Sequence, residues 1–177
     1  MKRRDFLAAN ALLAGSAVSI GARSARAQGE SSAAADQPDG QSTGRVRQSV
    51  MGWCFNPMDA VTLARHGKRI GLEAIEGIGS QHYDAVTQLG LKISLVGSHG
   101  FKEGPLDPDN HPKVEAKLRE GIDLAVKYGA PNVITFTGMK KEGISDEAAR
   151  RNCIDCWKRV LPYAEENKVG LVLEHLN

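Results

Sequence analysis

The sequence predicts an α/β fold, built as the first part of a (β/α)8 barrel. Three observations carry this. Strand-like apolar runs alternate with helical runs from residue 45 onward, about five strands with four helices between them. That alternation implies parallel strands joined by right-handed crossovers. No GxGxxG or other phosphate-binding glycine turn follows the first strand, as a doubly wound open sheet would usually show. The last strand, Leu171 to Leu173, runs directly into Glu174, His175 and Asn177. The C-terminal end of a strand is where a barrel of this kind places its chemistry. A full barrel takes about 250 residues and residues 45–177 supply roughly half of that, so the sequence is expected to be the N-terminal portion of a longer barrel.

Residues 1–27 are an address rather than a fold. Lys2, Arg3 and Arg4 make a charged start, Ala8 to Ile20 is apolar and rich in small residues, and Ala25-Arg-Ala27 is an A-x-A cleavage site. That is the pattern of a secretory signal. Arg3-Arg4 followed by Asp-Phe-Leu resembles a twin-arginine export signal, which implies the Tat machinery as a partner and a periplasmic location. The alternative is a membrane anchor, but the 13 apolar residues fall short of the roughly 20 needed to span a bilayer. Residues 28–44 are rich in Ser, Ala, Asp, Gln, Pro and Gly without apolar periodicity, the composition of a disordered linker. The folded part is then 45–177.

Within it, Arg45 to Phe55 is expected as the first strand, ended by Asn56-Pro57. Met58 to Arg69 is expected as a helix with Met58, Val61, Ala64 and His66 inward. Ile70 to Glu76 gives the second turn and strand, Gln81 to Leu89 a short helix, and Gly90 to Gly97 the third strand. Ser98 to Pro112 is a long loop, and loops of that length inside a domain tend to be functional. Lys113 to Tyr128 carries Val114, Leu118, Ile122, Ala125 and Val126 at helical spacing, with Gly129 as its C-terminal cap. Asn132 to Thr137 is the fourth strand. Ser145 is a good N-cap, with Asp146 and Glu147 favoured by the helix dipole. The helix that follows is expected to turn Ile154, Trp157, Leu161 and Ala164 inward and to kink at Pro162. Leu171 to Leu173 is expected as a buried parallel strand.

Charge excludes some functions. The chain has 23 Lys+Arg against 21 Asp+Glu. Without residues 1–27 the balance is 18 against 20, and no polybasic block occurs, so nucleic acid is not an expected partner. Three cysteines do not make a disulfide framework. Cys153-x-x-Cys156 lies mid-helix without a second pair, so it is read as structural rather than as a zinc or redox site.

A family likeness now enters on particular runs. Gln48 to Phe55, Gly97-Ser-His-Gly100, Asp109-Asn-His-Pro112, Asn132 to Gly138, Pro162 to Glu166 and Leu173-Glu-His-Leu-Asn177 resemble the hydroxypyruvate isomerase-like branch of the xylose isomerase-like TIM barrels, the sugar phosphate isomerases and epimerases. The resemblance implies isomerisation of a ketose or hydroxy-keto acid to its aldehyde isomer, or epimerisation beside a carbonyl. It implies a divalent metal, Mg or Mn, held by strand-end side chains, and two glutamates flanking the substrate carbon. Glu174 matches the first of these, as base and metal ligand. The second glutamate and the other ligands would follow residue 177. Proton transfer between neighbouring carbons needs a base beside a weakly acidic C–H, and a metal on the adjacent oxygens stabilises the enediolate. The other readings are a ketose 3-epimerase, a non-catalytic periplasmic sugar-binding barrel and, least favoured, an endonuclease IV-like nuclease.

The remaining candidates stand at or just beyond the strand ends. His99 follows the third strand and is either a substrate contact or a satisfied loop residue. Glu76 ends the second strand in the same layer. Trp53 forms a pocket wall or packs in the core. Asn177 orients substrate or caps the chain. His175 alternates away from Glu174 and is read as packing. Lys140 and Lys141 meet an anion or stay solvated. With both outer strands as open edges, homo-oligomerisation is a further expectation.

Overall fold

The computed structural model describes residues 46–174. The expected signal, linker, His175 and Asn177 lie outside the described residues. Among the described residues five parallel strands follow in chain order: β1 Ser49–Met51, β2 Ala74–Glu76, β3 Lys92–Ile93, β4 Asn132–Thr135 and β5 Gly170–Leu173. β1, β2 and β3 pair in one sheet and β4 with β5 in another. A parallel bridge between Val96 and Val133 joins the two. The helices are α1 Ala60–Arg69, α2 Tyr83–Gln88, α3 His111–Tyr128 and α4 Asp146–Glu166. Sequential parallel strands with helical crossovers make the wall of a partial barrel.

The register separates the two faces of that wall. Val50 pairs with Ile75 and Ile75 with Ile93. Ile75, Ile93 and Val133 are fully buried with Val114, Leu118 and Ile122 of α3. Gly121 lets α3 approach closely, since a Cβ there would meet Val133 Cγ1 at 2.9 Å. This is the helix-covered face. Alternation turns Ser49, Met51, Glu76 and Ser94 to the other face, together with Ile134, Val172 and Glu174. That second face corresponds to the interior of a barrel.

Several expected details change. The first strand is three residues long and passes into a 3-10 turn at Gly52–Phe55. Trp53 and Phe55 are therefore exposed. α1 starts two residues later than expected because Asp59 caps it, accepting from the Val61 and Thr62 amides at 3.1 and 2.9 Å. Its buried face is Leu63, Ala64 and Gly67, while Met58 and His66 are exposed. α3 begins at His111, with Pro112 in its first turn, where a missing N–H costs nothing. Val126 is exposed.

α4 keeps its Ser145 cap, accepting from the Ala148 amide at 3.2 Å, and remains one helix through Pro162. Its buried stripe is Cys153, Cys156, Val160 and Ala164. Leu161 is exposed instead. A stripe read one residue off still has helical spacing, which is why the apolar pattern alone chose Ile154, Trp157 and Leu161.

β5 is parallel as expected but not buried. Val172 and Leu173 are 36% and 40% exposed: Val172 stands on the second face, uncovered among the described residues, and Leu173, level with Thr135 on the other face, belongs to a strand that pairs with β4 alone. Open backbone groups on such an edge are a template for pairing with another chain. The chain is therefore expected to self-associate, seen as a concentration-dependent mass in sedimentation; a single monomeric species at every concentration would contradict this.

Candidate active site at the strand ends

The C-terminal ends of the strands collect the candidate residues. Glu174 directly follows β5, and its amide donates to the Thr135 carbonyl at 3.0 Å, continuing the ladder. Its backbone is thus fixed at the rim. Its side chain is exposed and, two positions after Val172, belongs to the uncovered face.

Glu76 lies on the same face at the end of β2. Ser94 Oγ donates to its Oε2 at 2.8 Å and Ser49 Oγ to its Oε1 at 3.3 Å. Each carboxylate oxygen is therefore held by a hydroxyl from a neighbouring strand. Trp53 borders a cleft of about 310 Å3 with Asn56, Pro57, Asp59, Ile78 and His82. It stands at the mouth rather than in the core. Lys140 pairs with Asp146 at 2.9 Å, and Lys141 pairs with Asp107.

His99 has both ring nitrogens engaged. Nδ1 is 3.1 Å from the Glu103 carbonyl and Nε2 is 3.0 Å from Thr135 Oγ1. A carbonyl only accepts, so Nδ1 carries the proton and Nε2 accepts from the Thr135 hydroxyl. Trp157 Nε1–H in turn donates to Thr135 Oγ1 at 3.0 Å. The result is a directed chain, Trp157 to Thr135 to His99 to the Glu103 carbonyl, with every donor matched. Thr135 is 3% exposed, so this chain crosses the covered side of the wall.

Burial lowers the His99 pKa below the usual histidine value, against raising contributions from the Glu103 and Gly100 backbone. The ring is thus held neutral, as the hydrogen-bond chain requires. A depressed pKa means the unfolded chain binds the proton first as pH falls. Stability from this group is then full above about pH 6.5, the unfolded histidine value, and is lost progressively as pH falls below it. The urea midpoint is expected to drop from pH 7 to pH 5, and His99→Gln is expected to flatten that slope. An unchanged slope in the variant would overturn the assignment.

The long loop after β3 is stitched to the loop after β4. The Leu106 amide donates to the Thr137 carbonyl at 3.0 Å and the Met139 amide to the Lys102 carbonyl at 3.2 Å. Asn152 Nδ2 donates to the Leu106 carbonyl at 2.8 Å. Gly104 lies against the backbone of Thr137 and Gly138, where a Cβ would collide. A cleft of about 360 Å3, lined by Leu106, Ile144, Cys153, Trp157 and Leu173, lies on the covered side of the wall, away from Glu76 and Glu174.

The structure therefore places Glu76 and Glu174 on one face, Trp53 at the mouth, and His99 within a closed hydrogen-bond chain. Thr135, Ser49 and Ser94 were not among the sequence candidates. No local pattern marks them; their partners are brought together by strand register.

The parallel wall, its helical cover and its strand-end carboxylates define an α/β barrel of the TIM type. The family model for the xylose isomerase-like TIM barrel matches residues 68–177, more than half of the chain, and the chain belongs to that family. No curated protein matches it. Among solved structures it is similar to 3-keto-D-glucoside 4-epimerase from E. coli, at 15% identity and TM-score 0.61, over 75% of this chain and 57% of that one. It is also similar to D-allulose 3-epimerase from Methylomonas sp. in complex with D-allulose, at 20% identity and TM-score 0.53, over 74% and 52%. A sugar phosphate isomerase/epimerase from Parabacteroides distasonis aligns at 13% identity and TM-score 0.55, over 80% and 52%. The chain thus spans little more than half the length of these structures.

Proposed function

We propose that this protein is a sugar isomerase or epimerase that moves a proton at a carbon next to a carbonyl, with Glu174 as the base. The observation that carries this is Glu174 itself, a carboxylate whose backbone is fixed at the C-terminal end of β5 on the uncovered face of a xylose isomerase-like barrel wall. A carboxylate there meets a bound substrate from the side where barrel chemistry takes place. Glu76, on the same face as Glu174, is assigned as an acceptor for sugar hydroxyls, and the exposed Trp53 that follows β1 as an apolar wall.

The donor chemistry fits a hard divalent ion in kind. Glu174 offers carboxylate oxygen, which suits Mg or Mn, and would be its ligand from this part of the chain. Such an ion, when bound, supplies charge stabilisation to the substrate oxygens beside the reacting carbon. Glu76 has both oxygens engaged by serines, so it is assigned to substrate rather than metal.

Two finer forms follow. The sequence runs favour a hydroxypyruvate isomerase type. The named epimerases among the fold neighbours favour a ketose 3-epimerase. Incubation with Mn2+ in D2O separates them, using hydroxypyruvate, D-fructose and D-allulose in turn. An aldehyde product from hydroxypyruvate supports the first, and deuterium at C3 of the ketose supports the second. Binding of the sugars with neither product would instead support a non-catalytic barrel. Export through the Tat route is proposed from residues 1–27 and is tested by dependence of periplasmic accumulation on Arg3 and Arg4.

A further inference from the structure

A cluster between α3 and α4 plays no part in the strand-end mouth. His111 and Glu115 stand one turn apart on α3, so their side chains share a face. Cys156 of α4 completes the group. One ligand atom from each of the three lies within 4.8 Å of the other two. Cys156 is fully buried and His111 is 9% exposed.

The histidine is already set for coordination. His111 Nε2 lies 2.8 Å from the Pro105 carbonyl. The carbonyl only accepts, so Nε2 carries the proton and Nδ1 presents its lone pair to the cluster. Metal-bound histidines almost always have such an outer partner, which fixes tautomer and ring orientation.

Arg159 of α4 holds the place of a cation. Its Nη2 donates to His111 Nδ1 at 2.6 Å and its Nε donates to Glu115 Oε1 at 2.6 Å. Its side chain is 47% exposed, against 24% for Glu115. The guanidinium thus enters from the solvent side and has room to withdraw there.

We propose that His111, Glu115 and Cys156 form a zinc-type site clamping α3 to α4, with Arg159 as a displaceable internal cation that engages the ligands in the absence of metal. One nitrogen, one oxygen and one sulfur suit zinc rather than magnesium or manganese. Three protein ligands leave the fourth position to water, on the side that Arg159 vacates. On binding, the Cys156 S–H bond breaks, its proton leaves to solvent, and the sulfur lone pair bonds the metal. Burial foremost, with the Glu115 charge, pushes the Cys156 thiol up to about 11 without an ion; a bound cation reverses that preference.

The test uses the full chain, stripped with chelator and titrated with Co2+ alone as a spectroscopic substitute for zinc. The expected result is a thiolate-to-cobalt charge-transfer band with strong tetrahedral visible bands, displaced by Zn2+. The charge-transfer band disappears in Cys156→Ser. Arg159→Gln, at a half-exposed position, removes the competitor and is expected to tighten binding about tenfold, while Glu115→Gln weakens it about tenfold. Absence of the thiolate band in both the unaltered protein and Arg159→Gln overturns the proposal. So does its persistence in folded Cys156→Ser, which would assign the metal to another cysteine. Should Cys156→Ser not fold, an unchanged affinity in both Glu115→Gln and Arg159→Gln overturns it equally.

Discussion

Replacing Glu174 by glutamine is expected to lower turnover by about 10²- to 10⁴-fold, the usual contribution of a positioned general base. The glutamine keeps the shape and the hydrogen-bonding reach of the side chain but cannot take a proton. The backbone bond from the Glu174 amide to the Thr135 carbonyl at 3.0 Å is untouched by the change. Because the side chain is exposed, the unfolding midpoint is expected to stay where it is. The informative measurement is therefore kcat on the responsive substrate beside a denaturation curve on the same sample. Equal turnover by the two proteins would remove Glu174 from the mechanism. Loss of turnover together with loss of folding would show a structural role instead.

Replacing Thr135 by valine is expected to cost about 2–3 kcal/mol of stability. Valine fills nearly the same volume, so the change isolates the hydroxyl. Its loss orphans two groups at once: Trp157 Nε1–H loses its acceptor and His99 Nε2 its donor. A buried polar group left without a partner costs about 1–3 kcal/mol, so two would cost about 2–6 kcal/mol; His99 lies partly within reach of water, which brings the sum to the lower end of that. Urea denaturation measures it. Thr135→Ser, which retains the hydroxyl, is expected to recover most of the loss. A valine variant as stable as the parent would show that the chain of bonds contributes nothing net.

The alternation of strands and helices was legible because it is local. Val114, Leu118, Ile122 and Ala125 announce α3 through spacing alone, and Gly129 closes it with the left-handed φ of 66° that a non-glycine residue avoids. The position of Glu174 on the uncovered face also follows from counting along a strand. What could not be read was set by register and long-range contact. His99, Thr135 and Trp157 meet across separations of 36 and 22 residues, and none carries a motif that names the others. The core stripe of α4 was missed by one position because Ile154, Trp157 and Leu161 keep helical spacing just as Cys153, Cys156 and Val160 do, and only packing against α3 and the sheet chooses between them. Trp53 and Phe55 looked like strand residues because aromatics favour strands, yet the chain leaves the sheet at Gly52, where a Cβ would collide with the Ile78 side chain.

The contact of Gly104 with Gly138 has a practical consequence for anyone exchanging these loops. With two backbones touching and amide hydrogen bonds running both ways between them, the segments after β3 and β4 behave as one unit at the strand ends. Grafting either segment alone from another barrel would leave it without its opposite surface. Library design at these strand ends should therefore exchange residues 98–110 and 136–145 as a matched pair, holding both glycines constant, and confine single-segment diversity to the turn after β1.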